Sequence, residues 1–176
     1  STIMIPYGES GGWIMAIIPK LESNETSLHL NSDEIGWVTA FPSIFLTVGA
    51  IIAKFTADSI GRRNSLIVSM IPVAIGYSIM EFNTYGAMLV GRALSGVTNG
   101  FVPIFSLYIG EIADESIRGR LNLISNIVNN LSNIPVLLVS PFITLQELHL
   151  IIVIPSIIIM FLLFFIPESA HFYIMK

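Results

Sequence analysis

The sequence predicts an all-α membrane protein. Of its 176 residues, 53% are hydrophobic and 11% are charged, and the mean hydropathy is +0.79. A soluble domain typically carries about 25% charged residues, so this composition argues against an ordinary soluble enzyme. A backbone in lipid must satisfy its own hydrogen bonds, and we therefore expect the apolar runs to be helices.

Five apolar runs are long enough to cross a bilayer, since a helix needs about 20 residues to span the hydrocarbon core. They lie between charged breaks at residues 35–57, 65–82, 85–110, 121–143 and 148–166. A further run near residues 3–18 is interrupted by Pro6, Glu9 and glycines and is too short to span unaided. It lacks the positive leading region of a signal peptide. We interpret it as a first membrane helix cut short, in a chain that is a fragment.

Charged residues predict the orientation of these helices. The turns after the second and fourth helices are basic, whereas the opposite turns are mostly acidic and hold Lys20. Because basic loops stay in the cytoplasm, we expect the arginine-bearing turns to be cytoplasmic. The segment Asn24-Glu25-Thr26 is a glycosylation sequon, so Asn24 is expected on the exterior or lumenal side. The arginines concerned are Arg62, Arg63, Arg118 and Arg120.

Arg92 is an ionisable residue within the run 85–110, about two helical turns from its exterior end. Charged groups inside a membrane are costly and point to function. We expect Arg92 to face the interior of the bundle, where Gly91 and Gly96 allow another helix to approach closely. The alternative is that its side chain extends outward to the lipid headgroups.

The run 121–143 is rich in asparagine. Helical spacing places four of these residues along one stripe. Amides both donate and accept hydrogen bonds, so the stripe suits either the wall of a wet cavity for a hydroxyl-rich ligand or a contact with another helix. The four residues are Asn122, Asn126, Asn129 and Asn133.

Two cytoplasmic clusters repeat one pattern. Asp58 precedes Arg62, and Glu111 precedes Arg118, so that each acid ends a helix and each arginine starts the next. Both charges then oppose the helix dipole, and we expect ion pairs to compensate them. The alternative is a pair of solvated surface loops. Recurrence at alternate turns predicts two similar three-helix units, as in transporters built from repeats.

Several functional classes lack support. The chain has no cysteine, which excludes a disulfide framework and a thiolate metal site. We find no nucleophile arrangement, metal-ligand cluster or phosphate-binding loop, so neither an enzyme nor a cofactor is expected. The net charge of −4 argues against a nucleic-acid partner. A channel would require a charged ring or a filter-like segment, and neither is recognisable.

Four motifs resemble those of a known family. Asp58-x-x-Gly61-Arg62-Arg63 resembles its loop motif between helices two and three, and Gly91-Arg92 resembles its helix-four arginine motif. Tyr108-Ile109-Gly110-Glu111, with Arg118-Gly119, is similar to the signature that joins helices four and five, and Pro167-Glu168-Ser169 is similar to the segment after helix six. In this order and spacing, the motifs resemble those of the sugar porters of the major facilitator superfamily, in particular the arthropod facilitated trehalose transporters.

The resemblance implies the N-terminal six-helix half of a major facilitator fold, with its first helix truncated and an intracellular helical segment starting over residues 167–176. It implies facilitated diffusion of trehalose or a hexose by alternating access, in a multi-pass protein of the plasma membrane. The expected partners are the sugar, the lipid bilayer, and the missing C-terminal half or another membrane helix bundle.

The resemblance also assigns residues. Asn126 occupies a helix-five glutamine position that contacts sugar in the family, and we expect it to bind substrate together with Asn130. Lys54 replaces a usual glycine of the loop motif. Ser10 stands where proton-coupled relatives have an aspartate, which favours facilitated diffusion, while neighbouring Glu9 leaves proton coupling open. Charge pairs that close the cytoplasmic side are expected from Asp58, Arg62, Arg63, Glu111, Arg118 and Glu168.

A second function is compatible with the same residues. The chain could be a non-transporting, truncated membrane protein that acts as a scaffold or as the partner of a full-length porter. The asparagine stripe would then hold helices together.

Overall fold

The computed structural model describes residues 2–22 and 30–165, and this part of the chain consists of helices joined by short turns. Its α-helices are α1 (Ile5–Glu22), α2 (Ser32–Ile60), α3 (Arg62–Met80), α4 (Tyr85–Asn99), α5 (Val102–Ile112), α6 (Glu115–Leu131), α7 (Asn133–Val139) and α8 (Leu145–Leu163). Short 3-10 turns occupy Thr2–Met4 and Ser140–Phe142. The predicted all-α class is confirmed.

Five stretches of the described chain are long and apolar enough to cross a membrane. Three are the single helices α2, α3 and α8. The other two are Tyr85–Ile112, formed by α4 and α5, and Glu115–Phe142, formed by α6, α7 and the 3-10 turn after it. They correspond to the five runs that hydropathy predicts. α1 is continuous in spite of Pro6, which is tolerated because N–H groups in a first turn have no helical acceptor.

Three helices begin three residues before the predicted runs: α2 at Ser32, α3 at Arg62 and α8 at Leu145. At α2 and α8 the reason is a capping box. The Asn31 N–H donates to the Glu34 carboxylate at 2.8 Å, and the Thr144 N–H donates to the Glu147 carboxylate at 2.7 Å. Such capping boxes satisfy groups that the first helical turn leaves unpaired. The capping boxes therefore extend α2 and α8 over the polar residues that precede the apolar runs.

Helix α6 also begins early, at Glu115. The connection after α5 is therefore residues 113–114, and Arg118 and Arg120 lie on the helix, not in the predicted turn. This corrects the expected start of the run at residue 121. An acidic residue in the first turn, here Glu115, is favourable at the positive end of the helix dipole.

Two of the spans are interrupted by proline. Pro103 lies just after the break between α4 and α5, and Pro135 just after the break between α6 and α7. Proline has no N–H to donate to the carbonyl four residues earlier, which weakens the helix at that point. The second break divides the asparagine stripe, because Asn133 belongs to α7 and the other three asparagines belong to α6.

Glycines let α4 pack closely against α2 and α3. A Cβ atom on Gly96 would lie 2.4 Å from the carbonyl oxygen of Pro42 on α2. A Cβ atom on Gly91 would lie 2.6 Å from the carbonyl oxygen of Gly76 on α3. Backbone approaches of this kind are typical of membrane helix packing, where small residues form the interface.

The interior contains two apolar clusters separated along the helices. One includes Tyr7, Met70 and Phe105, and the other includes Trp13 and Met88. Between them lie buried polar side chains from three helices, which we call the central polar layer. Its members are 0% to 6% exposed and comprise Glu9 and Ser10 on α1, Arg92 and Ser95 on α4, and Ser156 on α8.

Candidate functional site

Arg92 is the charged centre of the polar layer and is 1% exposed. Its Nε donates to the carbonyl oxygen of Val38 on α2 at 3.4 Å, and its Nη1 donates to that of Ser10 on α1 at 3.3 Å. The guanidinium also lies 5.0 Å from the centre of the Trp13 ring, a cation–π distance. Backbone dipoles and an aromatic face thus surround the charge, and Arg92 links α1, α2 and α4.

Several neighbours of Arg92 have unused hydrogen-bonding capacity. Glu9 Oε2, Ser10 Oγ and the Tyr77 hydroxyl are buried without a well-directed hydrogen bond to any described group. Ser10 and Arg92 are both close to the Tyr77 hydroxyl. Because an unsatisfied buried polar group is costly, this region favours a guest that can donate and accept hydrogen bonds, such as water or a hydroxyl group.

The asparagines of the run 121–143 divide between two environments. Asn126 and Asn130 are exposed, and their amides donate to the carbonyls of Asn122 and Asn126 within α6, at 3.0 and 2.8 Å. Asn129 instead donates to the Met4 carbonyl at 3.3 Å, next to α1. Asn133 lies against α1 as well, since a Cβ atom on Gly12 would meet its Cα at 3.1 Å. Asn129 and Asn133 therefore contact other helical segments, whereas a cavity role for Asn126 stays a prediction.

Arg62 is the centre of the charged cluster that the sequence predicts to be cytoplasmic. Its Nε lies 3.0 Å from Oε1 of Glu111, its Nη1 lies 3.8 Å from Oδ1 of Asp58, and Nη1 also donates to the Ala57 carbonyl at 2.9 Å. The side chain is 11% exposed. The structure therefore brings the two sequence clusters together through one arginine, which connects the ends of α2, α3 and α5.

Arg63 contacts the C-terminal end of α8. Its guanidinium donates to the carbonyl oxygens of Leu163 and Phe164, at 2.8 and 2.5 Å, and lies 5.9 Å from the Phe164 ring centre. Carbonyls at a helix C-terminus carry partial negative charge. Arg63 thus ties the start of α3 to the end of α8.

The remaining predicted residues are less engaged or not described. Arg118 is exposed, and its side chain passes beside Gly110, whose ideal Cβ would lie 3.9 Å from Arg118 Cδ. A pair between Glu111 and Arg118 stays a prediction. Glu168 and Asn24 lie outside the described residues.

Lys54 borders a groove between α2 and α5, at the end of the bundle that also holds Arg62. The groove has a volume of about 230 Å³, and small residues such as Ala53, Ala57 and Gly100 form its walls, with Asp58 at the same end. Lys54 is exposed at its edge, so the lysine does not fill the space between the helices.

Trp13, Tyr77 and His149 form an aromatic group at the end of the bundle where α8 begins. The Trp13 ring stacks on His149 at 5.8 Å and meets the Tyr77 ring edge-on at 6.1 Å. In the sequence, Trp13 and Tyr77 each look like an ordinary apolar helix residue. No spacing predicts that residues of α1, α3 and α8 meet. His149, a polar residue within the most apolar run, is the one feature of the sequence that could have pointed to this group.

Comparison with known proteins shows the family to which the chain belongs. The model described as Major Facilitator Superfamily matches residues 5–172. The chain is 26% identical over 178 residues to the facilitated trehalose transporter Tret1 of Apis mellifera ligustica, covering 100% of this chain and 35% of that protein. It is 28% identical over 173 residues to the facilitated glucose transporter member 6 of solute carrier family 2 from Mus musculus, covering 97% and 35%. The chain thus spans about a third of the length of these relatives.

Solved structures agree in fold. The crystal structure of a D-xylose-proton symporter superposes with a TM-score of 0.82 at 19% identity, covering 99% of this chain and 49% of that chain. The inward-open xylose transporter XylE from E. coli gives 0.79 at 17% identity, covering 98% and 48%. The helical arrangement is therefore that of about half of a transporter chain.

Proposed function

The chain belongs to the Major Facilitator Superfamily, and we propose that it supplies the N-terminal helices of a sugar transporter that works by facilitated diffusion. Trehalose or a hexose is the proposed substrate, and the plasma membrane is the proposed location. The named relatives are transporters, not enzymes. A second helical bundle completes the sugar site between two bodies that rock about it.

The observation that carries this proposal is the exposed amide pair on α6. Asn126 and Asn130 lie on a span of membrane length, yet their side chains are exposed. Polar groups directed into hydrocarbon are expensive, so this face of α6 is better placed against a water-filled cavity. There the amides can replace the water that a sugar hydroxyl loses on binding.

The cytoplasmic charges supply the gate in this proposal. Arg62 with Asp58 and Glu111, and Arg63 with the end of α8, hold the cytoplasmic helix ends together. A sugar shifts the balance between open and closed states only if it binds them with different affinity. Arg118 and Glu168 are proposed to join this network when the second body closes against it.

Ser10 and Glu9 bear on the mode of transport. Ser10 offers no carboxylate next to Arg92, which supports passive diffusion. Glu9 is a buried carboxyl group in the same layer, so proton coupling is the competing mode. Uptake of sugar into proteoliposomes with and without a pH gradient separates them, because facilitated diffusion does not accumulate sugar against its concentration gradient.

The decisive experiment is counterflow of radiolabelled trehalose and glucose in proteoliposomes. We expect no saturable counterflow with this chain alone and recovery when a matching C-terminal half from a trehalose transporter is added. Asn126→Ala should then reduce sugar affinity, and Asn126→Gln should restore part of it. Asn64→Ala is the matched control, because Asn64 is also exposed and its amide also donates to the carbonyl four residues earlier, that of Ile60 at 2.9 Å.

Two results would contradict the proposal. Saturable counterflow by the chain alone would remove the need for a second body. Unchanged affinity in Asn126→Ala would remove the proposed sugar contact.

The second candidate is a non-transporting scaffold or partner of a full-length porter. It is favoured by Asn129 and Asn133, whose contacts with α1 show that part of the stripe holds helices together. If the reconstituted halves associate but never transport any sugar, this function replaces the first.

A further inference from the structure

His149 is a buried titratable residue that neither transport nor gating uses. It lies in the first turns of α8 and is 0% exposed. Neither of its ring nitrogens makes a hydrogen bond to a described group. A histidine enclosed in this way is unusual in an apolar helix, since neutral imidazole has one N–H donor and one acceptor nitrogen, and both need a partner.

Glu81 is the acid next to this histidine. It follows the last residue of α3, and its Oε1 lies 3.5 Å from His149 Nδ1, although the geometry is not that of a hydrogen bond. Its side chain is 32% exposed. Burial nevertheless raises the pKa of Glu81. Glu81 is therefore partly accessible to solvent, so a proton can reach the enclosed imidazole through its carboxylate.

Trp13 connects this pair with the central polar layer. Its ring stacks on His149 at an interplanar angle of 27° and also receives the Arg92 guanidinium at 5.0 Å. The ring is 0% exposed, so it has no freedom to leave either neighbour without repacking. Two groups that can both be cationic thus share one aromatic ring.

Other titratable and charged groups on the surrounding elements are engaged elsewhere or more distant. Tyr77 on α3 contacts the His149 ring at a centroid distance of 6.0 Å. Glu9 on α1 acts electrostatically on Tyr77. Lys20 donates to the carbonyl of Ile143, and Glu147 caps its own helix through Thr144. Glu81 is therefore the acid placed to stabilise a charge on His149.

We propose that Glu81 and His149 form a proton-binding site at the exterior end of the bundle, and that proton binding there weakens the contact between Trp13 and Arg92. An imidazolium on Trp13 competes with the guanidinium for the same π electrons and repels it in a medium of low dielectric constant. By linkage, any change that frees Arg92 from Trp13 must strengthen proton binding at His149. The site concerns the bundle itself and goes beyond the proposed sugar transport.

Tryptophan fluorescence tests this proposal directly, because the chain has two tryptophans, Trp13 and Trp37. In a Trp37→Phe background, the whole 176-residue chain in lipid nanodiscs reports on Trp13 alone. An imidazolium quenches a stacked indole more strongly than a neutral imidazole does. We expect one reversible drop in emission as the pH is lowered from about 8 to about 3, a range that covers exposed and enclosed histidines.

Variants identify the group that titrates. His149→Gln should abolish the drop, whereas changing both other histidines, His29→Gln and His171→Gln, should leave it in place. Glu81→Gln should move its midpoint to lower pH by about half a unit or more, because the carboxylate no longer favours the imidazolium. Arg92→Gln should move the midpoint to higher pH through the linkage described above.

The outcomes separate clearly. A drop that survives His149→Gln overturns the site, and so does a midpoint that is unchanged in Glu81→Gln. A normal titration that does not respond to Arg92→Gln overturns the connection to Arg92. Should His149→Gln or Arg92→Gln misfold, Glu81→Gln at the exposed edge and ¹⁵N NMR of the His149 ring in the unmodified chain still decide the result. No titration of that ring in the range would refute the proposal.

Discussion

Arg62 and Glu111 lie 49 positions apart in the chain, and the Arg62 Nε is 3.0 Å from the Glu111 carboxylate. Their side chains are 11% and 14% exposed, so water screens the pair weakly. The contact joins the start of α3 to the end of α5 and brings together two motifs that the sequence presents separately.

We expect Arg62→Gln and Glu111→Gln each to lower the free energy of unfolding by about 3 kcal/mol. Removal of one partner leaves the other charge buried without this counter-ion. The double variant should lose less than the sum, with a coupling energy of about 1–3 kcal/mol. Thermal unfolding in detergent measures the cycle.

Arg120→Gln is the control for this cycle, since Arg120 is exposed on the same side of the bundle. It should change stability by less than about 0.5 kcal/mol. The same cycle with Arg118→Gln tests the predicted pair of Glu111 with Arg118. Strictly additive losses in either cycle would mean that the two residues do not interact.

The contact between α2 and α4 should not tolerate a side chain at Gly96. A Cβ atom there would lie 2.4 Å from the backbone of Pro42, so Gly96→Ala must push the helices apart and should cost about 1–3 kcal/mol. Gly86→Ala, on the same helix, has no atom within 4 Å of the new Cβ. It should be neutral or slightly stabilising, and equal losses at both positions would contradict the close packing.

Trp13 and Trp37 should differ sharply in their contribution to stability. Trp13 is 0% exposed and contacts Arg92, whereas Trp37 is 53% exposed. We expect Trp13→Leu to destabilise the chain by about 3 kcal/mol through lost packing and the lost cation–π contact. Trp37→Leu should have a small effect. A reversed order in thermal unfolding would show that Trp13 is not a core residue.

The asparagine stripe should divide in its energetic effects as it does in its contacts. Asn129→Ala removes the bond to the Met4 carbonyl and should cost about 1 kcal/mol of stability. Asn126→Ala should leave stability nearly unchanged, because that side chain is exposed. Comparable losses at the two sites would assign the whole stripe to helix contacts.

Asn24 should accept a glycan if the connection after α1 is exterior. Expression in microsomes followed by glycosidase treatment should give a mass shift that Asn24→Gln abolishes. Cleavage at a protease site inserted at residue 24 by a protease confined to the cytoplasmic side would reverse the predicted orientation.

Hydropathy predicted the spans well because the bilayer sets a minimum apolar length and requires backbone hydrogen bonds within each segment. All five predicted runs correspond to membrane-length stretches. Their starts were predicted less accurately at α2, α3, α6 and α8. Capping pairs such as Asn31 with Glu34 extend helices into polar sequence, and a reading based on apolar runs stops before them.

By itself, the sequence determined the all-α membrane class, and its motifs indicated the superfamily, because apolar run length and local motif spacing are properties of neighbouring residues. The tertiary structure alone decided which partners the polar residues take. Arg62 bridges two motifs, Arg63 binds carbonyls of α8, Asn129 faces α1 while Asn126 stays exposed, and His149 meets Trp13. These contacts join residues that are tens of positions or more apart in sequence, and they exist because helix packing rotates particular faces toward one another.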